Sequence, residues 1–204
     1  MTDFTKIRLS AEELRLVTDA DFILTKNGII EKVYGMYGGL SEWMQNAVIP
    51  FQQELNEVLD ISPKISRGEN YLGLPFVILD YPRYFRTHDI FAIRTMFWWG
   101  KFMSVTLHLK GNYREHYHQR IIEEFHTISQ LGFYAGVGPD EWEHHFGEDN
   151  YLPAAVIEPD EWLELYQARD FTKLAIKFPL DQWEELPLRI TTVYSTILKI
   201  LGGN

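Results

Sequence analysis

Seven histidines and no cysteine set the chemistry open to this chain of 204 residues. Without cysteine there is no thiol nucleophile, no disulfide framework and no thiolate metal ligand. The histidines fall three times into one phrase: Glu115-x-x-His118, Glu123-x-x-His126 and Glu141-x-x-His144. In carboxylate-bridged dimetal bundles that phrase occurs on two different helices, completed by a glutamate from each of two more. Here the first two copies sit on one predicted helix, eight residues and so roughly 12 Å apart. They cannot share an ion, and His116, Glu123 and His126 project away from the apolar side of that helix. Charge pairs on a solvated helix face account for them, and no metal or cofactor is expected. His144 and His145 fall in a Gly- and acid-rich stretch with no defined target. No His-Glu-x-x-His, Gly-x-Ser-x-Gly or Walker phrase occurs.

His108 stands apart, on a strand in the most aromatic part of the chain. Trp99-Gly100-Lys101-Phe102 reads as a hairpin with a two-residue type II′ turn. That register sets Trp99 opposite Phe102, Thr95 opposite Thr106 and Ile93 opposite His108. One face then mixes Thr95, Ser104, Thr106 and His108 with Phe97, Trp99 and Phe102, apolar walls with a few polar groups, as a small-molecule pocket requires. A half-solvated sheet face would carry the same residues. The other face, with Trp98, Met103, Met96, Val105, Leu107, Ala92 and Leu109, is expected to form the main core under helices. Arg94 is its anomaly, either paired structurally near a rim or a clamp for a ligand anion. A further candidate is the loop Tyr81–Arg86, where Arg83 and Arg86 stand beside three aromatics. They either stack on those rings or recognise an anionic or planar ligand. The candidate ligand-binding residues are therefore His108, Thr106, Thr95, Trp99, Arg94, Arg83 and Arg86. None is assigned a catalytic role.

The elements that must position these residues follow from periodicity. Ser10-Ala-Glu-Glu13 is a capping box opening a short helix, and Asp19 or Thr18 caps a second that should stop at Gly35, Gly38 and Gly39. Ser41 caps a third, running from Glu42 to Leu59 and kinked or divided at Pro50. A loop from Asp60 to Asn70 leads to a strand confined between Pro75 and Pro82, either an edge strand or one whose ends lie beyond the ladder. Asn112 opens a helix to about Leu131. Pro139-Asp-Glu-Trp142, Pro159-Asp-Glu-Trp162 and Pro179-Leu-Asp-Gln-Trp183 read as three helix first turns. Phe171–Phe178 is a late strand whose lysines suit an edge or a solvated face, and Leu188–Leu201 a final apolar helix. The fold class is α+β: a three-strand meander at about 73–81, 88–99 and 102–110, plus the strand 171–178, in an antiparallel sheet packed against helices. A single domain is expected, with residues 1–60 helical and 71–204 the α+β core.

Charge narrows the partners. The net charge is −10 and the isoelectric point about 5.1, which repels phosphate backbones and anionic lipid. Neither nucleic acid nor membrane is an expected partner. No apolar run reaches membrane-spanning length, and Met1–Lys6 lacks the apolar stretch of a signal peptide, so a cytoplasmic address is expected. The function indicated first is a non-catalytic module that binds a small-molecule ligand or a protein, self-associating through 188–201. The alternative is a small-molecule, hydrolase-like enzyme that uses His108 with a carboxylate from elsewhere. It requires a deep pocket in which a histidine and an acid meet at hydrogen-bond distance.

Overall fold

A computed structural model describes residues 7–202; the opening hexapeptide, read above for a leader, lies outside them. Seven strands form one antiparallel sheet: β1 (Lys64–Tyr71), β2 (Leu74–Phe85), β3 (Ile90–Trp98), β4 (Phe102–Lys110), β5 (Tyr134–Gly136), β6 (Tyr151–Pro153) and β7 (Phe171–Phe178). Their order is β1-β2-β3-β4-β7-β5-β6. The helices are α1 (Ala11–Val17), α2 (Ala20–Ala47), α3 (Asn56–Leu59), α4 (Asn112–Glu123), α5 (Phe125–Gln130), α6 (Pro159–Gln167) and α7 (Leu186–Ile200). This is the expected α+β architecture, with the meander, the late strand and the N-terminal helical region in place.

Local chemistry sets several boundaries. Ser10 and Glu13 make the reciprocal capping box that opens α1, and Asp19 caps α2 through the amide of Phe22. Gly132, at φ +76°, follows the end of α5. The stripe Ile30, Val33, Tyr37, Leu40 and Met44 of α2 is buried, as is Ile190, Val193, Tyr194 and Ile197 of α7. Both helices cover the sheet face made by Val77, Leu79, Phe91, Ile93, Phe97, Met103, Val105, Leu107 and Leu109.

Several expectations are corrected. α2 runs unbroken through Gly35, Gly38 and Gly39, because the packing of Tyr37, Leu40 and Met44 outweighs the weak helix preference of glycine. Ser41 starts no helix, since it lies inside α2, which ends at Ala47; the division expected at Pro50 is present, as a 3-10 turn, Ile49–Phe51, before the single turn of α3. The stretch read as a loop contains β1, so the α+β core begins at residue 64. β1 is an edge strand of mostly polar residues, with Gly68 packed under the ring of Phe76, where a side chain has no room. β2 is not an edge: it lies between β1 and β3 and includes both Pro75 and Pro82, the latter in an irregular stretch between Asp80 and Arg83. β7 is interior too, paired to β4 and β5. The helix from Asn112 is divided at Glu124 into α4 and α5. Of the three proline phrases, Pro159 begins α6 and Pro179 precedes a 3-10 helix, whereas Pro139 lies in non-helical chain.

The correction that matters most concerns the β3–β4 hairpin. Its connection has three residues, so Trp98, not Trp99, opposes Phe102. Gly100 has φ +68° at the third position of a Trp98–Lys101 turn closed by a 3.0 Å hydrogen bond, the place where a type II turn needs glycine. One residue of slip exchanges the faces of an entire strand. Arg94, Met96 and Trp98 therefore join Thr106 and His108, while Thr95 and Phe97 turn to the helix-covered side.

Candidate functional site: a polar cluster under a strap

On the sheet face away from α2 and α7, two rows of side chains cross the strands. Asp80, Arg94 and Thr106 oppose one another across β2, β3 and β4, and Ala92, His108 and Lys173 across β3, β4 and β7. Residues 137–150, between β5 and β6, fold back over these rows as a strap. The strap is tied at its base by the amides of Val137 and Gly138 donating to the Asn150 carbonyl, and by Arg169 donating to the Val137 and Gly138 carbonyls. At its far end the Tyr71 hydroxyl donates to Glu143 (2.7 Å) and accepts from the amides of His144 (2.6 Å) and His145 (3.0 Å). Phe146 stacks on Tyr151 with centroids 4.7 Å apart, and Trp142 meets the edge of His108 at 5.5 Å.

Beneath the strap the charged and histidine side chains of the sheet all have partners, while the Trp98 indole N–H and the Tyr151 hydroxyl are buried without one. Asp80 takes Arg94 in a two-point pair, Nε to Oδ1 at 2.7 Å and Nη2 to Oδ2 at 2.9 Å. The third guanidinium contact is Nη1 to His144 Nε2 at 2.8 Å. Arginine only donates, so His144 Nε2 must be unprotonated and the ring is the neutral Nδ1–H tautomer. Burial, then the charge of Arg94, holds His144 well below the ordinary histidine range. His108 Nε2 lies 3.0 Å from Glu141 Oε2, and Lys110 Nζ donates to Glu141 Oε1 at 2.7 Å. Burial also lowers His108, against the pull of Glu141, so its Nε2–H donates as a neutral ring. The hydrogen bond from His108 and the ammonium of Lys110 hold Glu141 down at about 2. Lys173, 3% exposed, donates to the backbone carbonyl of Glu143. Burial, then Arg94, lowers it to about 8.

The cavity among Phe85, Arg94, Thr106, His108, His144 and Lys173 measures about 10 Å³, room for one water at most. A histidine and an acid do meet here, as the enzyme alternative requires, but in a closed cluster and not in a deep pocket. Of the sequence-derived candidates, His108, Thr106 and Arg94 come together. Thr95 faces the core. Trp99 lines a separate apolar groove of about 330 Å³ with Ile29, Phe97, Leu180 and Trp183. Arg83 donates to the Ser62 carbonyl at 2.7 Å and Arg86 stacks over Tyr84, so neither contact joins the cluster. Glu141, His144 and Lys173 were missed as partners of His108. The Glu141-x-x-His144 spacing was the available signal, since a turn brings positions i and i+3 to one side. No cluster of three or more potential metal ligands with the geometry to hold an ion occurs among the described residues, nor does a helix long and apolar enough to cross a membrane.

No protein-family model, no curated protein and no solved structure matches this chain.

Proposed function

We propose that this chain is a non-catalytic binding module for a small ligand carrying a carboxylate, received on the sheet where Glu141 now lies. The observation that carries the reading is a division of roles. Arg94 is paired to Asp80 within the sheet and Lys110 also lies 3.5 Å from Asp170. The remaining acceptors met by the strand donors Arg94, His108, Lys110 and Lys173, namely His144 Nε2, the Glu141 carboxylate and the Glu143 carbonyl, come from one connecting segment. Sites held by strands keep their geometry, whereas loops are where a protein exchanges contacts. A ligand carboxylate replacing Glu141 would meet the same two donors, and the strap acts as the internal competitor that its affinity must overcome.

The test is Glu141→Ala followed by small-carboxylate rescue. Loss of the carboxylate leaves His108 and Lys110 without their acceptor and lowers stability by about 1–3 kcal/mol. Acetate is expected to restore the melting temperature beyond chloride at equal ionic strength. Equal effects of the two salts would refute a carboxylate site.

The 3.0 Å His108–Glu141 contact favours a second reading, a small-molecule enzyme in which His108 handles protons once the strap is displaced. Ester or amide turnover that disappears in His108→Gln, with acetate rescue in the Glu141→Ala background intact, would select it.

A further inference from the structure

The strap-covered face ends in a second, larger cavity. Thr106, His108 and Lys110 alternate along β4 onto that face, and past Lys110 the chain turns through Gly111 into α4. There a cavity of about 220 Å³ is lined by His88, Lys110, Gly111, Arg114, Glu115 and Asp170. Its back wall is pinned. Gly111 stands at φ +60° with the His88 carbonyl so near that a side chain has no room, and Asp89 accepts from the Asn112 amide at 2.7 Å. Lys110 belongs to this cavity and to the cluster alike, since its Nζ lies 2.7 Å from Glu141 Oε1 and 3.5 Å from Asp170 Oδ2. The Asp170 carboxylate is 76% exposed and holds Lys110 only loosely, and Glu115 is exposed in the same wall. Arg114 already donates to the Tyr166 carbonyl.

We propose that the ligand received on His108 and Lys110 is an α-amino acid, its ammonium held by Asp170 and Glu115 in this cavity. The inference rests on the carboxylate site proposed above. An α-ammonium lies beside its own carboxylate, so an amino acid seated in the place of Glu141 carries that charge toward the wall where Asp170 stands. Charge agrees. Once the ligand carboxylate answers Lys110, and with histidine counted as neutral, the wall keeps Asp170 and Glu115 against Arg114, an excess that one ammonium balances. A zwitterion also brings no net charge to a chain of −10, whereas a dicarboxylate is repelled by it. The volume of about 220 Å³ lies below the ~300 Å³ at which drug-sized sites begin, so the side chain is small.

The test uses Glu141→Ala, which lacks the internal competitor, and three probes: L-alanine, propionate without the ammonium, and succinate with a second carboxylate instead. Half of the thermal stabilisation is expected at about fivefold lower L-alanine than propionate, the factor a partly exposed ion pair supplies. Asp170→Asn in the same background should erase that advantage and leave the propionate response in place. Propionate as effective as L-alanine, or succinate more effective, would overturn the amino acid and leave the carboxylate site standing. An L-alanine advantage that survives Asp170→Asn would overturn it too. A protein that answers none of the three, nor acetate, fails the carboxylate site itself. The wild type gives a second reading that needs no variant. L-alanine should shift the Gly111 and Asp170 amide resonances at lower concentration than propionate does, and equal concentrations would count against the proposal.

Discussion

Leu107 and His108 are neighbours on β4, 0% and 5% exposed, and they occupy opposite worlds. Leu107 points into the apolar layer under α2 and α7, where any side chain of similar volume and hydrophobicity would serve. His108 points to the strap, where each charged or histidine side chain has a particular partner at a particular distance. On the helix-covered face stability comes from area and close packing, and losses are graded. On the strap-covered face each polar group has been taken out of water, and what it gains depends on one or two hydrogen bonds. Such a face contributes little net stability but fixes the position of the strap. The difference explains how one sheet can combine a robust scaffold with a segment whose bonds are exchangeable.

The sharpest way to break this comparison is at the Asp80–Arg94 pair. Asp80→Ala leaves a largely buried guanidinium with only His144 as partner and is expected to cost about 3–5 kcal/mol in urea unfolding. Asp80→Ala with Arg94→Met, which removes both charges, should recover most of that loss. If the double variant is as unstable as the single one, the loss does not come from an unpaired buried charge. On the other face Leu107→Ala should cost about 3 kcal/mol through transfer and cavity terms, with no change in the ionisation of His108 followed by NMR. Coupling between these neighbours would mean that the two faces are not independent.

A smaller effect lies in the pH dependence. The ammonium of Lys173 is disfavoured in the fold, at about 8 against an ordinary value near 10.4. Between these values the unfolded chain binds more protons, so stability should rise with pH above 8, by up to about 1.4 kcal/mol per unit. The rise should end near pH 10, where unfolded tyrosines begin to ionise while Tyr117, Tyr151 and Tyr166 resist. Lys173→Met should abolish the rise, and urea titrations at pH 7 and 9.5 compare the two proteins directly. Glu141 works in the opposite range: its contribution is full above about 4.5 and is lost as pH falls toward 2.

Much of this was legible in the residues. The aromatic and β-branched runs at β2, β3, β4 and β7, the capping box at Ser10 and the partly polar face holding Thr106 and His108 follow from pattern alone. The site was only half legible because a turn one residue longer than the commonest hairpin moved Thr95 and Trp99 out and Arg94 in. Trp99-Gly100 suits the type II turn as well as a type II′ one, since glycine serves both. β1 lacked an apolar alternation because an edge strand needs none on its open side. Lys173 looked solvated because lysine usually is, and only the strap, a fourteen-residue segment without periodicity, makes its burial sensible. The strap's own two contributions, Glu141 and His144, were visible as a spaced pair whose target was a sheet and not a helix.

The central claim is that the strap satisfies the sheet's charged and histidine side chains as a set, and the imidazole tautomers report it most directly. A ¹⁵N NMR titration should find His144 neutral with its proton on Nδ1 and His108 neutral with its proton on Nε2, each taking up its second proton only below the ordinary histidine range. Either ring titrating near 6.5 like an exposed histidine would contradict the account, because the strap would then not be closed over the sheet.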